Sequence, residues 1–215
     1  MKRFIILLVL ISVVSLIYIL PGCNQKVQKA NTPGVQETDG LETAVLGGGC
    51  FWSMEAIFSQ LKGVQYTEVG FSGGYTEDPT YKQVCTRDTG HAEVVKIIFD
   101  PGAISYQKLL EVFFYVHDPT TLNRQGNDVG EQYRSIILYT SPFQEQAARD
   151  YIEELSRQGI FPGPIVTQVE PLEAYYRAED YHQGYYEENP DQAYCSFVVG
   201  PKVEKFEEKF ADLLK

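Results

Sequence analysis

Gly47-Gly48-Gly49-Cys50-Phe51-Trp52 lies between a short apolar run, Thr43 to Leu46, and an apolar-periodic segment that continues to Leu61. Three glycines between a strand-like run and a helix-like one read as a strand-to-helix turn, with a cysteine at the helix N-terminus. The unpaired N–H groups and the positive dipole end of such a terminus stabilise a thiolate. Cys50 is therefore expected to ionise more readily than a free cysteine, whose pKa is about 8.5. Phe51 and Trp52 would place an apolar wall beside the sulfur, suited to a small apolar group on a substrate. The plainer alternative makes Cys50 one more buried small hydrophobe and the two aromatics core.

Outward from this turn, Val64 to Phe71 alternates apolar and polar and stops at Ser72-Gly73-Gly74, and Thr76 to Gly90 is polar and irregular. Ala92 to Phe99 alternates again and ends at Asp100-Pro101-Gly102; Ser105 reads as the N-cap of a helix through Val116, and Arg134 to Tyr139 as a fourth strand. The order β-α-β-β-α-β is that of a ferredoxin-like α+β fold, an α/β sandwich with helices on one face of an antiparallel sheet. Pro142 to Arg157 adds a surface helix. Pro201 to Lys215 adds an amphipathic one, with Val203, Phe206, Phe210 and Leu213 on its inner face. Residues 159–200 read as a long ordered loop over the core, and such loops tend to be functional.

At 215 residues and 44% hydrophobic content the chain supports one well-buried domain, placed at 41–215. Lys2 and Arg3 precede an uncharged run from Phe4 to Leu20, and Leu20-Pro21-Gly22-Cys23 resembles the lipobox of a bacterial lipoprotein signal peptide. That resemblance implies removal of residues 1–22 and lipidation of Cys23; an uncleaved anchor is the alternative. Residues 23–40 then form a flexible tether. Either reading puts the domain outside the cytoplasm, as a membrane-anchored lipoprotein.

Without Lys2 and Arg3 the chain has 16 basic against 29 acidic residues, a formal net charge of −13. Nucleic acid is excluded as a partner for want of a basic patch, and the acidic surface argues against lying flat on anionic lipid, so the membrane link is the anchor alone. A monomer is expected. The cysteines Cys23, Cys50, Cys85 and Cys195 form no C-x-x-C pair, and His91, His117 and His182 are dispersed, which argues against a metal site. With Cys23 assigned to lipid, three thiols remain, and an odd number points to working thiols over a static staple.

Polar clusters stand in or beside the loops: Tyr81, the run Gly90 to Glu93, the run Gly126 to Ser135, and Tyr181-His182-Gln183. Glu93 opens an otherwise apolar strand. Facing solvent it would be ordinary; facing inward it would have a raised pKa and hold a proton at neutral pH. Asp128 and Tyr133 alone read as turn and strand residues, and His182 as a satisfied loop histidine.

Together these runs resemble the A-type peptide methionine sulfoxide reductases across residues 43–200. The matching runs are Gly48 to Trp52, Ser72 to Tyr75, Pro79 to Tyr81, Thr89 to Val94, His117 to Thr120, Arg124 to Asp128 with Gln132 to Ser135, and Ala178 to Gln183. The chain departs from the family's pattern at Arg87-Asp88, where a small glycine-containing turn is expected. The resemblance implies that Cys50 attacks the sulfoxide sulfur, that Glu93 donates a proton to its oxygen, and that Tyr81 and Tyr133 hydrogen-bond that oxygen. Phe51 and Trp52 would hold the substrate methyl and Asp128 would order the polar side. Cys50 would become a sulfenic acid, and Cys195, in a segment that looks like the family's C-terminal resolving run, would form a disulfide with it. Cys85 reads as a structural thiol. The implied partners are oxidised proteins or peptides and a thioredoxin-like or other dithiol reductant, with no bound cofactor. The rival readings are a thiol peroxidase and a non-catalytic binder of oxidised methionine.

Overall fold

The computed structural model describes residues 40–86 and 88–215. The signal-peptide reading of 1–22, the lipidated Cys23, all of the tether but Gly40, and Arg87 lie outside the described residues. In chain order the elements are β1 (Glu42–Gly48), α1 (Phe51–Phe58), β2 (Val64–Ser72), α2 (Tyr81–Thr86), β3 (Ala92–Phe99) and α3 (Tyr106–Val116). They continue as β4 (Arg124–Gln125), β5 (Asp128–Val129), β6 (Ser135–Tyr139), α4 (Pro142–Gln158), β7 (Gln168–Pro171), β8 (Tyr175–Arg177), α5 (Tyr185–Glu188) and α6 (Gly200–Lys209). None of the described helices is long and apolar enough to cross a membrane.

The four strands expected from alternation lie side by side as β6-β1-β3-β2, each antiparallel to its neighbour, which is the ferredoxin-like sheet. Two more strands extend it, β7 parallel to β6 and β8 antiparallel to β2. Both come from the region read as loop, so the sheet is not purely antiparallel and that region is not free of regular structure. At four and three residues, largely exposed, they are too short to show a period, and Pro171 is tolerated because β7 is an edge. Tyr81 opens a helical turn, α2, inside the segment read as irregular, and α1 stops at Phe58, short of Leu61, where the apolar-periodic segment ends.

Strand alternation gives the sheet two apolar faces. Ala44, Leu46, Val95, Ile97 and Ile137 pack on one side with Phe58, Phe113, Val203, Phe206 and Phe210 from the helices. Val45, Val94, Ile136 and Leu138 face the other side, where Leu172 and Tyr175 cover them in place of a helix. Glu93 shares the register of Val95 and Ile97 and thus points to the helix-covered side. The caps follow the sequence: Ser105 accepts from the Lys108 N–H at 3.2 Å, Ser141 from the Gln144 N–H at 3.3 Å, and Gly159 ends α4 in the left-handed region at φ 63°.

His91 locks the turn between β2 and β3. Its Nδ1 accepts the Gly74 N–H at 3.1 Å and its Nε2–H donates to the Thr76 carbonyl at 2.8 Å. A Cβ on Gly74 would stand 2.4 Å from the His91 nitrogen and 2.5 Å from the Thr89 oxygen. Backbone cannot yield as a flexible side chain can. Gly74→Ala should therefore lower unfolding stability by about 2 kcal/mol, whereas Gly163→Ala, whose Cβ would meet nothing nearer than 3.6 Å, should stay within about 0.5 kcal/mol. Chemical denaturation of the two variants checks the contrast.

Candidate active site

The end of β1 delivers the chain into Gly49, at φ 96°, where a Cβ would lie 2.7 Å from Cγ of Gln125. Only glycine fits both the conformation and the space. Cys50 follows as the N-cap of α1, as the sequence predicts. The first free donors of that helix are divided between two groups. The Phe51 N–H donates to Oε2 of Glu93 at 3.0 Å, and the Trp52 N–H faces the Cys50 sulfur. Glu93 is 1% exposed, and burial pushes its carboxyl up to about 8 against the pull of the Phe51 N–H. At neutral pH it is predominantly the acid, the inward-facing case of the two set out from the sequence.

Cys50 departs from expectation. Burial first, and then the charges of Glu93 and Asp128, push its thiol well above the ordinary range; the Trp52 N–H and the Tyr194 hydroxyl favour the thiolate but do not offset them. The expected easy ionisation at a helix N-terminus is thereby corrected: one of the terminal donors is given to Glu93, and the sulfur is buried. The resting sulfur is a thiol.

Three aromatic walls surround it. Phe51 is buried, with its ring 6.3 Å from Tyr81 and 5.8 Å from Phe71, while Trp52 stacks on Tyr185 at 3.7 Å between centroids. Tyr81 is placed by its backbone N–H on Oε1 of Glu179 at 3.1 Å. Tyr133 ends a 3-10 turn, Glu131–Tyr133, which the buried Arg134 anchors through the Glu131 carbonyl at 3.0 Å, the Gly73 carbonyl at 3.1 Å and Oε1 of Gln168 at 2.9 Å. Burial and Glu93 hold both phenols above their usual range, so each remains a donor.

Cys50 and Phe51 thus share one cluster with Trp52, Tyr81 and Tyr133, and Glu93 and Asp128 act electrostatically on its sulfur. Tyr194 belongs with them and was missed. Its hydroxyl has one proton, donated to Oδ2 of Asp128 at 2.6 Å, and also meets the Cys50 sulfur, to which that proton can turn when Cys50 ionises. Among 15 tyrosines only its place beside Cys195 could have signalled it.

Cys195 is fully buried at the start of a π-helical turn, Cys195–Val199, and Cys50, Cys85 and Cys195 are all free thiols. Cys85 is exposed on α2 with its sulfur on the Tyr81 hydroxyl. His117 lies behind Gly48, its ring nitrogens on the Phe113 carbonyl at 2.6 Å and the Ser135 hydroxyl at 2.8 Å. Among the described residues no group of three or more His, Cys, Asp or Glu could hold a metal ion. A buried thiol facing a neutral acid, phenol donors and an apolar slot suits an electrophilic atom that carries a small apolar group and an oxygen awaiting a proton.

Comparison with known proteins agrees with that chemistry. The family model described as peptide methionine sulfoxide reductase matches residues 42–214. The chain is 55% identical over 170 residues to the peptide methionine sulfoxide reductase MsrA of Natronomonas pharaonis, covering 79% of this chain and 96% of the relative. Among solved structures, methionine sulfoxide reductase A of Corynebacterium diphtheriae aligns at 40% identity with a TM-score of 0.65, over 73% of this chain and 78% of that one. Mxr1 of Saccharomyces cerevisiae in reduced form aligns at 31% identity with a TM-score of 0.69, over 76% and 94%.

The charges around the sulfur predict opposite effects of two substitutions. Glu93→Gln keeps an acceptor for the Phe51 N–H but removes a negative neighbour, so alkylation of Cys50 by iodoacetamide at pH 9 should speed up severalfold. Tyr194→Phe removes a donor that stabilises the thiolate and should slow it. Mass spectrometry of the Cys50 peptide separates this signal from that of exposed Cys85.

Proposed function

The chain belongs to the peptide methionine sulfoxide reductase family, oxidoreductases that reduce methionine sulfoxide, and from that premise we propose that it reduces methionine-(S)-sulfoxide in proteins, with Cys50 as nucleophile and Glu93 as acid. The observation that carries the assignment is the Glu93 carboxyl, buried and held on the Phe51 N–H beside the Cys50 sulfur, with its pKa at about 8.

The atoms balance with a single proton moved. The Cys50 sulfur attacks the sulfoxide sulfur, the sulfoxide S–O bond breaks as the oxygen passes to Cys50, and the products are methionine and a Cys50 sulfenic acid. Glu93 gives its proton to the oxygen and takes in its place the one that Cys50 releases, so that the net transfer is of the thiol proton to the oxygen. A group half-titrated near pH 8 is suited to both halves of that exchange. Tyr81 and Tyr133 donate to the oxygen, Phe51 and Trp52 receive the methyl, and Asp128 orders Tyr194 on the opposite side. Fixing methyl, oxygen and the line of attack at a stereogenic sulfur admits one epimer, and membership of the family makes it the S form.

Cys195 then attacks the sulfenic acid, forming the Cys50–Cys195 disulfide and releasing water, and a thioredoxin-like dithiol returns both to thiols. No bound cofactor takes part in this scheme. The anchored, extracytoplasmic setting read from residues 1–23 would direct the repair to envelope proteins. A thiol peroxidase is the poorer reading, because the aromatic pair Phe51 and Trp52 beside the sulfur suits a methyl sulfoxide better than hydrogen peroxide.

Single-turnover release of methionine from epimerically pure sulfoxide peptides tests the assignment. Release is expected from the S form alone, none in Cys50→Ser, and about a hundredfold slowing or more in Glu93→Gln. Because the acid form of Glu93 is the competent one, the wild-type rate should hold below pH 8 and fall as pH rises through about 8. Cys195→Ser should give one methionine per chain and then stop. Equal release from both epimers, or full multiple turnover in Cys195→Ser, would overturn the corresponding assignment.

A further inference from the structure

The donors at the start of α1 are almost all spent. The Phe51 N–H is given to Glu93 at 3.0 Å, the Trp52 N–H faces the Cys50 sulfur, and the Ser53 N–H returns to the Cys50 carbonyl at 3.1 Å. One donor on this turn remains, the Ser53 hydroxyl. The residue is 1% exposed, and its Oγ is buried with no hydrogen-bond partner among the described residues. A buried hydroxyl left unpaired destabilises the state that contains it. Serine inside a helix commonly escapes that penalty by donating to the carbonyl one turn back, and Ser53 does not.

Its place in the helix says what the hydroxyl lies beside. Cys50 is the N-cap of α1 and Ser53 the third residue of the helix, the two positions that exchange contacts where a helix start is capped reciprocally. Every Cα–Cβ bond of a helix leans toward its N-terminus, so the Ser53 side chain is carried back toward Cys50, its neighbour three residues earlier. In the reduced protein no hydrogen bond joins the two side chains. An oxygen added to the Cys50 sulfur lengthens that side chain by one atom and supplies the acceptor that Ser53 lacks.

We infer that the Ser53 hydroxyl pairs with the oxygen that Cys50 carries after transfer, holding the sulfenic acid until the resolving thiol arrives; the inference rests on the reading of Cys50 as the sulfur that takes the oxygen. No covalent bond changes in this step. The O–H of Ser53 donates to the sulfenic oxygen, and a donor unpaired in the reduced protein becomes a paired one. The reduced state thus carries a penalty from which the sulfenic state is relieved. That difference favours leaving the oxygen on Cys50 over returning it to methionine.

Ser53→Ala removes the hydroxyl and little else. The variant is compared with its parent in a Cys85→Ser, Cys195→Ser background, so that neither thiol can condense with the sulfenic acid, before and after one turnover on a methionine-(S)-sulfoxide peptide. In the reduced state Ser53→Ala should raise the midpoint of urea unfolding by about 0.5 M, since an unpaired buried donor is gone. In the sulfenic state that gain should vanish or reverse. Alanine is also the better helix former, but this adds equally to both states and cancels in the difference. The sulfenic acid should also be more reactive, its trapping by dimedone running about fivefold faster in Ser53→Ala, the effect of one lost hydrogen bond. An equal rise in both states would make the hydroxyl a packing defect and nothing more. A lower midpoint in the reduced state would mean that it is already paired. Either result overturns the inference, as does an unchanged dimedone rate. Should the parent release no methionine, the functional reading falls, and sulfenic acid made with hydrogen peroxide still lets the comparison decide on Ser53.

Discussion

The 3.0 Å hydrogen bond from the Phe51 N–H to Glu93 is the constraint on which the site depends. A helix N-terminus offers few free donors, and here they are shared between a thiol and a carboxyl in one water-poor pocket. Had the terminus served the thiol alone in contact with solvent, Cys50 would be a reactive thiolate open to any oxidant. With Glu93 beside it and both side chains buried, neither group ionises readily, and the charge of Glu93 opposes that of Cys50. In the proposed reaction the pair would hold its proton until something with an acceptor oxygen and an electrophilic sulfur entered between them. Selectivity for such a substrate would then begin with the electrostatics, before any wall of the pocket is considered.

The fold supplies that constraint through register. Antiparallel pairing of β1 with β3 sets Glu93 and Val94 beside the glycines that end β1, and strand alternation turns Glu93 to the side on which α1 lies. The remaining groups arrive on short, separately anchored pieces: Tyr81 through Glu179, Tyr133 through Arg134, Tyr194 through Asp128. Each anchor is a directional polar contact and not general packing, so the positions of the hydroxyls are set independently of the large core on the same face of the sheet.

The difference between those two kinds of support governs what the sequence discloses. Four strands and three long helices were legible because burial of a face imposes a period of two or of 3.6, and Ser105 marks where one of them begins. Cys50, Phe51 and Trp52 were legible because three glycines announce the turn. Glu93 was legible as an anomaly on an apolar strand, although its direction depended on register that one strand alone does not reveal. β7, β8 and the site side of α2 were not legible, since three to six residues secured by hydrogen bonds carry no period. The state of Cys50 was misjudged for a related reason: local sequence shows the helix terminus, whereas the desolvation and the two carboxylates that outweigh it come from β3 and β5.

Tyr194 and Cys195 show how two successive steps can share one dipeptide. In the reduced protein the Tyr194 hydroxyl bridges Asp128 and the Cys50 sulfur, while the Cys195 thiol, one residue on, is buried elsewhere and unbonded. The side chain that occupies the sulfur is thus the neighbour of the thiol that must later reach it, and the two cannot be there together. The proposed Cys50–Cys195 disulfide would need Tyr194 to leave Asp128 and the π-helical turn that holds Cys195 to unwind. An irregular turn of poor hydrogen-bond geometry costs less to open than a turn of α-helix. In the proposed scheme Tyr194, in place while the sulfur is a thiol, would delay the resolving thiol until the oxygen has been transferred. A segment that sequence alone presents as a loop would then order the steps of the proposed reaction, a role that its lack of helical or strand periodicity suits.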